Sequence, residues 1–265
     1  LDKPLHHQYC KYIYDLSHFD LRRSYQSGKP VVDILKEAFP NTIYLALLSI
    51  TIAFVLGVTL GSLAAVFKDG WLEKIILVIT SLGMSLPSFF AAILIAWIFA
   101  FLLADYTGLS MFGSLYSVDD FGEGEYLSLK NIILPAITLG IRPLAVITEL
   151  TKSTMKEVLS QDYIRTAKAK GLSKFKVIYS HALRNTLNPI VSSVSGWFAS
   201  LIAGAVFVEY IFDWKGVGVV IVDSLEKYDF PVLMGALIVI CVILIVINVL
   251  TDIIYALLDP RVRIK

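Results

Sequence analysis

Residues placed for catalysis are scarce in this sequence. A phosphate-binding loop requires the spacing GxxxxGK(S/T), and the nearest fragment, Gly28-Lys29-Pro30, lacks the rest of that pattern. The metalloprotease motif HExxH and the nucleophile motif GxSxG do not occur, and no two aspartates fall within separate apolar runs as an intramembrane protease would need. We therefore predict that the chain is not an enzyme and binds no catalytic cofactor of its own.

His6, His7 and Cys10 have the chemistry of metal ligands. They lie in a polar segment with no other sign of order, so we interpret them as part of a solvated loop and predict no metal site. Cys241, the second cysteine, lies deep in an apolar run and is not placed to pair with Cys10. Two such cysteines do not form a disulfide framework.

Arg142 is a charged residue near the middle of an apolar run. A charge at mid-bilayer costs several kcal/mol unless it faces protein or water. Two interpretations stay open: Arg142 lines a translocation path and meets a substrate carboxylate, or it pairs with an acid on a neighbouring helix. Glu149 falls on roughly the same helical face, but about 10 Å away by helix rise, which is too far for a direct bond.

A basic, polar segment at 160–189 separates two apolar runs and has the pattern of two short helices joined by a corner. Asp162 is predicted to cap a helix that begins at Tyr163, and Gly171 occupies the position of a left-handed C-terminal residue. Ser173 is predicted to cap a second helix, which Pro189 would end.

The first of these helices is too short to be stable alone in water, because it has only about two turns. It carries Ile164 and Ala167 on one side and Lys168 and Lys170 elsewhere. It therefore needs something to dock against, and we predict that the helix is a plug for a partner protein. The alternative is that the whole segment is an ordinary solvated loop between two spans.

The composition is that of a membrane protein. Hydrophobic residues make up 57% of the chain and charged residues 17%, with a mean hydropathy of +0.73. Soluble domains carry about 25% charged residues. The 23 basic and 22 acidic residues leave a formal net charge of +1, so nucleic acid is not an implied partner. We predict an all-α protein in a lipid bilayer.

Five apolar runs are long enough to be membrane spans. The second would be about 45 Å long as one helix, and Pro87 interrupts it, so a single bent or broken helix fits better than a hairpin. We predict an external N-terminal segment at 1–40, a transmembrane domain at 41–258 and a tail at 259–265. The predicted spans are 41–67, 75–104, 131–151, 189–208 and 231–254.

Basic residues predict the orientation of these spans. The segment 152–188 holds eight lysines and arginines, and the tail adds three, whereas the predicted loops at 105–130 and 209–229 are acidic. The positive-inside rule therefore places 152–188 and the C-terminus in the cytoplasm and 1–40 outside. An external segment without a signal sequence implies that one span precedes it.

The segment 165–171, RTAKAKG, together with His181-Ala182-Leu183, resembles the EAA loop of ABC-importer permeases. It is most similar to the branch that serves dipeptides, oligopeptides and nickel, whose local spellings are DYxRTAxAKG and HALRN. The general EAA pattern has Glu, Ala, Ala and Gly where this chain has Arg165, Thr166, Ala167 and Gly171. Only the second Ala and the Gly are kept, and the departures are those of the peptide branch.

Further stretches in the family's order carry the same resemblance. GAVFVEYIF at 204–212, followed by Gly216 and Gly218, resembles the GAVxxExxFxxxGxG turn after the fifth span. DFPV at 229–232 resembles the start of the last span. The remaining matches are LPSF at 86–89 and the tail pattern formed by Asn248, Asp252, Tyr255 and DPRVR at 259–263.

The resemblance implies a six-span type I permease of a bacterial inner membrane, of which this chain would lack the first span. It implies a second, identical or related permease, two ABC ATPase subunits that bind ATP and Mg²⁺, and an external substrate-binding protein. The cargo would be a dipeptide, an oligopeptide, a nickel chelate or a related small solute. The pathway would run between the permeases, with Arg142 as a candidate lining residue. The residues expected to couple to the ATPase are Asp162, Tyr163, Ile164, Arg165, Ala167, Lys168 and Gly171.

A channel or a secondary transporter that works without an ATPase is the alternative function. Ion-coupled transporters are expected to hold acids within several spans. In this sequence the acids of the apolar runs are few and lie near the ends of the runs. That distribution favours the importer.

Overall fold

Helices make up nearly all of the structure, a computed structural model that describes residues 4–113, 115–118 and 125–258. The first half of the chain contains α1 (Leu5–Ser17), α2 (Val31–Val66), α3 (Trp71–Ser85), α4 (Ser88–Ile95), the π-helical segment π1 (Ala96–Leu102) and α5 (Ala104–Thr107). The second half contains α6 (Ile133–Leu159), α7 (Asp162–Ala169), α8 (Lys174–Lys176), the π-helical segment π2 (Val177–Leu183), α9 (Arg184–Gly204), α10 (Val206–Ile211), α11 (Val217–Glu226) and α12 (Phe230–Leu258).

One small exception to the predicted all-α fold lies between α5 and α6. Strands β1 (Tyr116–Val118) and β2 (Glu125–Leu127) pair antiparallel, with Tyr116 opposite Leu127. The strands have three residues each. The predicted helical fold class is otherwise confirmed.

Helices α2 and α6 form the centre of the fold because glycines let their backbones approach closely. A Cβ atom added to Gly57 of α2 would lie 2.8 Å from Cγ2 of Ile147, and one added to Gly61 would lie 2.5 Å from the carbonyl oxygen of Thr148. Real Cβ atoms do not come so near, so only glycine fits at these two positions. Small residues four apart are typical of helices that pack within membranes.

The main hydrophobic core surrounds this pair. Residues of α2 and α6 pack there with residues of α4, α9 and α10, and Trp214 is fully buried among them. A second cluster joins the start of α2 to α11 and α12, and includes Val31, Val217 and Ala236. A third cluster lies around α7 and is described below.

Within the described ranges, three helices are long and apolar enough to cross a membrane. They are α2, α6 and the part of α12 at Phe230–Thr251. Helices α3 and α4 with π1 pass the same test together, but they meet at an angle of 115°, with Leu86 and Pro87 between them. The run 75–104 is therefore interrupted where the sequence predicts. The apolar part of α9, Pro189–Gly204, is shorter, so a total of five spans stays a prediction.

The N-terminal segment is more helical than the predicted loop. His6, His7 and Cys10 lie on α1, and α2 begins at Val31, ten residues before the predicted start of the first span. The reason is amphipathic spacing. Charged residues interrupt the start of α2, but Val31, Leu35 and Ala38 recur at helical intervals and are buried.

The predicted stop at Pro189 is wrong, because that residue lies inside α9. Proline removes one helical hydrogen bond, but leaving the helix within an apolar environment would leave several backbone groups without partners. Continuing the helix through Pro189 is therefore the arrangement of lower free energy. Helix α6 also runs further than predicted, to Leu159, eight residues into the predicted loop.

The predicted acidic loop at 209–229 contains regular structure. It holds the second half of α10 and all of α11, and two of its acids, Glu209 and Asp229, are buried. The predicted tail at 259–265 and the side chains of Asp252 and Tyr255 lie outside the described residues.

Candidate functional site

Helix α7 follows the end of α6 after a two-residue turn. The structure starts it at Asp162 and ends it at Ala169, close to the predicted bounds. The capping prediction needs correction, because the N-cap residue is Gln161 and its side chain makes no capping bond. Asp162 lies instead in the first turn, where a negative charge favours the helix dipole, and it pairs with Arg165 at 3.3 Å.

The apolar side of α7 is buried against the same chain. Ile164 is fully buried and Ala167 nearly so. They pack with Ala65 at the end of α2, Met155 of α6, and residues of π2. This side therefore docks against the protein's own chain, and the role of α7 as a plug for a partner protein stays a prediction. A two-turn helix needs tertiary contacts to be stable, and the ends of α2 and α6 supply them.

The corner after α7 confirms the two remaining local predictions. Gly171 has a φ of 75°, in the left-handed region. A Cβ atom added there would meet no atom within 4 Å, so the backbone conformation, not lack of space, favours glycine. Ser173 caps the next helical stretch, and its hydroxyl accepts a hydrogen bond from the backbone N–H of Lys176.

The outward side of α7 is polar, basic and partly aromatic. Arg165 and Lys168 are exposed, and so is Tyr163, whose hydroxyl accepts a hydrogen bond of 2.8 Å from the side chain of Asn185. Beyond the corner, the rings of Phe175 and Tyr179 stack at 5.8 Å with both side chains exposed. We call these five exposed side chains, Tyr163, Arg165, Lys168, Phe175 and Tyr179, the outer face. Rigid aromatic and cationic groups of this kind are typical of protein-docking surfaces.

A charge cluster beside α7 was not found from the sequence. Glu73, in the first turn of α3, is nearly buried and lies 2.7 Å from Lys152 and 2.8 Å from Lys156, both on α6. Its other oxygen accepts a hydrogen bond of 2.6 Å from the backbone N–H of Asp69. The two lysines are one turn apart and so face the same way, which is the only trace of the cluster in the sequence.

Helices α2, α3 and α6 and the segment π2 therefore meet at one end of the fold. The third hydrophobic cluster joins α7 to α2, α6 and π2, and Glu73 joins α3 to α6. A displacement of α7 would shift all of these elements together, because closely packed interiors transmit small movements.

A second site that the sequence did not predict lies in the elbow between α10 and α11. Thr42 of α2 donates a hydrogen bond of 2.7 Å to one oxygen of Glu209, and the backbone N–H of Gly218 donates one of 2.6 Å to the other. The N–H of Val217 donates to the Thr42 hydroxyl at 2.9 Å. The fully buried carboxyl thus holds the start of α11 against α2.

The two glycines of the GxG pattern make room for this carboxyl. A Cβ atom added to Gly216 would overlap the carboxyl group of Glu209, and one added to Gly218 would lie 2.5 Å from Cα of Val206. The buried Trp214 also holds the elbow in place, because its indole N–H donates a hydrogen bond of 2.9 Å to the carbonyl oxygen of Asn41. The sequence pattern found this turn, and the structure gives the steric reason for its glycines.

A buried aspartate fixes the segment before α2 to the start of α12. Asp229 accepts hydrogen bonds from the hydroxyl of Ser24 at 2.5 Å and from the backbone N–H groups of Tyr25 and Gln26. Burial by itself raises the pKa of Asp229, but these bonds to the ionised form, first of all that from Ser24, lower the pKa below its ordinary value. The aspartate is thus a structural lock between two distant parts of the chain.

Arg142 is exposed on α6 and takes part in none of the ion pairs found among the described residues. The structure therefore gives no support to pairing within this chain. Glu149 is exposed on the same helix and is likewise without an ion pair in the described part of the protein. No group of three metal-binding side chains comes together among the described residues.

Comparison with known proteins adds to this geometry. Residues 57–264 match the family model described as the binding-protein-dependent transport system inner membrane component. The chain is 38% identical over 265 residues to the dipeptide transport system permease protein DppB of Bacillus subtilis (strain 168), which covers 100% of this chain and 81% of the relative. It is 35% identical over 282 residues to the protein of the same name from Escherichia coli (strain K12), and this alignment covers 100% of this chain and 83% of the relative.

Solved structures show the same fold. A chain of the MetNI methionine ABC transporter, in an inward-facing conformation, superposes with a TM-score of 0.67 at 15% identity, covering 86% of this chain and 97% of that one. An amino acid ABC transporter gives a TM-score of 0.59 at 12% identity, with coverage of 87% and 95%. At such low identity the likeness concerns the fold alone.

Proposed function

Since the chain belongs to the family of binding-protein-dependent transport system inner membrane components and is a permease subunit of such an importer, we propose that its cargo is a short peptide. Relatives between 34% and 39% identical are named as dipeptide, di/tripeptide or peptide transport permeases. They match nearly the whole chain, so the similarity extends through the membrane helices and is not confined to one loop.

The working transporter in this proposal contains two permeases, identical or related, two ABC ATPase subunits and an external substrate-binding protein. ATP and Mg²⁺ are bound by the ATPases, and this permease hydrolyses nothing. The absence of a phosphate-loop pattern from the sequence supports that division of labour.

Helix α7 is the coupling element, and one observation carries this assignment: its apolar side is buried in its own chain while its charged side is exposed. The helix rests on α2, α6 and π2 through Ile164 and Ala167, and presents Tyr163, Arg165 and Lys168 outward. An ATPase groove that holds the outer face would move α7 as the ATPases close. The third hydrophobic cluster and Glu73 would pass that motion into the spans and switch access from one side to the other.

If α7 contacts the ATPase, its side of the membrane is the cytoplasmic side, and the orientation of the whole chain follows. The outer face and the basic segment 152–188 are cytoplasmic, whereas residues 1–40 and the lock at Asp229 are external. The concentration of lysine and arginine near α7 supports that direction. Arg142 lies between the two ends and lines the pathway between the permeases. A charge exposed on an apolar helix supports this position, because lipid would solvate it poorly.

A pull-down in mild detergent tests the proposal. The parent chain, expressed with its native gene neighbourhood, should bring a second multi-span permease and ATPases with phosphate loops. The double variant Arg165→Glu/Lys168→Glu should lose most of the ATPase while keeping the second permease, since it reverses two charges on the outer face only. Lys11→Glu, which reverses an exposed lysine on α1, is the matched control and should keep both.

Two results would contradict the proposal. Recovery of the chain alone, or only with itself, would argue for a channel or an ATP-independent transporter. Retention of the ATPase by the Arg165→Glu/Lys168→Glu variant at the level of Lys11→Glu would remove α7 from the coupling interface.

A further inference from the structure

Two opposite charges lie on one face of α6. Arg142 and Glu149 are both exposed, and they are seven residues apart. Seven residues turn an α-helix by about 700°, which is within about 20° of two full turns, and advance it by about 10 Å. The rise of the helix separates the two Cα atoms, and the side-chain conformations then set the gap between the charged groups.

This face points away from the packed centre of the fold. Ile147 of α6 packs on Gly57 of α2. Arg142 lies about 140° around the helix from Ile147 and Glu149 about 160°, by the turn of 100° per residue. Between the two charges, Ala145 is buried and Val146 is half-buried. The helix is therefore packed between them, but both charged side chains are exposed and can meet something outside this chain.

Lipid is a poor partner for that face. Helix α6 is apolar enough to cross a membrane, and neither charge forms an ion pair with any described residue. Charged groups at such positions face water-filled paths or other protein in known membrane proteins, because the hydrocarbon core does not solvate them. A pathway used by a charged solute satisfies this requirement.

The chemistry of the pair matches a zwitterion. A guanidinium group binds a carboxylate through two parallel hydrogen bonds, and a glutamate accepts hydrogen bonds from an ammonium group. We propose that Arg142 and Glu149 form a transit site that binds the carboxylate and the ammonium end of a free peptide. This inference rests on the proposed importer function and narrows its cargo to peptides with both ends unmodified.

The spacing also limits peptide length. An extended chain spans at most about 3.3–3.6 Å per residue, so a dipeptide reaches about 7 Å and a tripeptide about 10 Å. The flexible arginine side chain can lean towards Glu149 and shorten the gap for a dipeptide. Longer peptides would engage only one of the two charges at a time. The site therefore favours two or three residues.

The test uses a cysteine placed between the charges. Val146→Cys is introduced into a chain in which Cys10 and Cys241, both exposed, are replaced by serine. The assembled complex in lipid vesicles is exposed on both sides to a membrane-impermeant thiol reagent, and the labelling rate of the new cysteine is measured. The probes are tri-alanine and its N-acetylated, C-amidated form, which has the same shape and neither charge.

We expect the cysteine to react, and tri-alanine at millimolar concentration to slow the reaction at least threefold. The capped peptide should leave the rate unchanged. Adding Arg142→Gln or Glu149→Gln should abolish the protection. Glu157→Gln, which removes an exposed acid further along the same helix, is the matched control and should retain it.

A cysteine that does not react would overturn the proposal, since lipid or a partner would then cover the face. Three other results would overturn the proposal as well. The capped peptide could protect the cysteine equally, neither peptide could protect it, or protection could survive both charge variants. Failure of the importer function is a separate result. It would appear as the absence of ATPase from the purified complex, and the labelling experiment does not affect that observation.

Discussion

Lys152 Nζ lies 2.7 Å from Oε1 of Glu73, and this contact joins the last turns of α6 to the first turn of α3. Lys156 shares the same oxygen at 2.8 Å. Helix α3 also packs against α2 and α6, and the ion pairs fix its first turn to the end of α6. The ion pairs therefore connect the broken segment α3–α4 to the part of α6 on which α7 rests.

Glu73→Gln should weaken this connection. The substitution keeps the shape but leaves two partly buried lysines side by side without a negative charge. We expect a lower Tm of the purified complex and less substrate taken up per ATP hydrolysed. Thermal unfolding and vesicle uptake measure the two effects, with Glu157→Gln as a control that should change neither.

A double-mutant cycle separates the pair from general damage. If Glu73 and Lys152 act together, the Tm loss of Glu73→Gln/Lys152→Met should be smaller than the sum of the two single losses. Additive losses would show that the two residues contribute independently, against the connection described here.

Ile164→Ala should loosen α7 without touching the outer face. The side chain is fully buried, and truncating a buried isoleucine costs about 2–5 kcal/mol in the stability of its cluster. We expect faster hydrogen exchange across 162–171 and weaker ATPase binding. Arg165→Ala removes an exposed neighbour and should weaken ATPase binding while exchange stays at the parent rate. Equal exchange in both variants would contradict the docking of α7.

Gly171→Val should distort the corner after α7. A β-branched residue at a φ of 75° is strained by about 1–3 kcal/mol, whereas asparagine tolerates this region better. ATPase stimulation by the loaded binding protein should fall strongly in Gly171→Val and much less in Gly171→Asn. Similar activities in both variants would mean that the corner does not depend on backbone conformation.

The sequence predicted what depends on neighbours along the chain. The bounds of α7, the left-handed Gly171 and the Ser173 cap follow from local hydrogen bonding and backbone preference, and the structure has them. The sequence did not predict what covers Ile164, because an apolar side on a short helix indicates that it is covered but not by which partner.

The two buried acids were missed because their partners are distant in sequence. Glu209 bonds to Thr42, 167 residues away, and Asp229 bonds to Ser24, 205 residues away. An acid count over 209–229 predicts a solvated loop, since unpaired acids are rarely buried. Only the fold shows that hydroxyl and backbone N–H groups from α2 and its preceding segment replace the water.

Gly218→Ala should destabilise the elbow between α10 and α11. The added Cβ would press against Cα of Val206, a backbone atom that has little room to move. Overpacking of this kind costs about 1–3 kcal/mol. Gly204→Ala is the matched control, because its added Cβ meets no atom within 4 Å. Thermal unfolding should separate the two, and a Tm loss of equal size would contradict the steric account.

Asp229→Asn should destabilise the lock in a pH-dependent way. The pKa of Asp229 is lowered in the folded protein, so the ionised form favours folding. Its contribution is complete above the unfolded pKa of about 3.9 and is lost as the pH falls through the lower folded value. At pH 7 the variant should lose about 1–3 kcal/mol of unfolding free energy, because buried N–H and hydroxyl donors lose a charged acceptor.

The Tm difference between Asp229→Asn and the parent should hold from pH 7 to 5 and shrink below about pH 4. Asp223→Asn, which removes an exposed acid paired with Lys227, should show a much smaller difference throughout. A difference for Asp229→Asn that does not change with pH would mean that shape, and not charge, makes the lock.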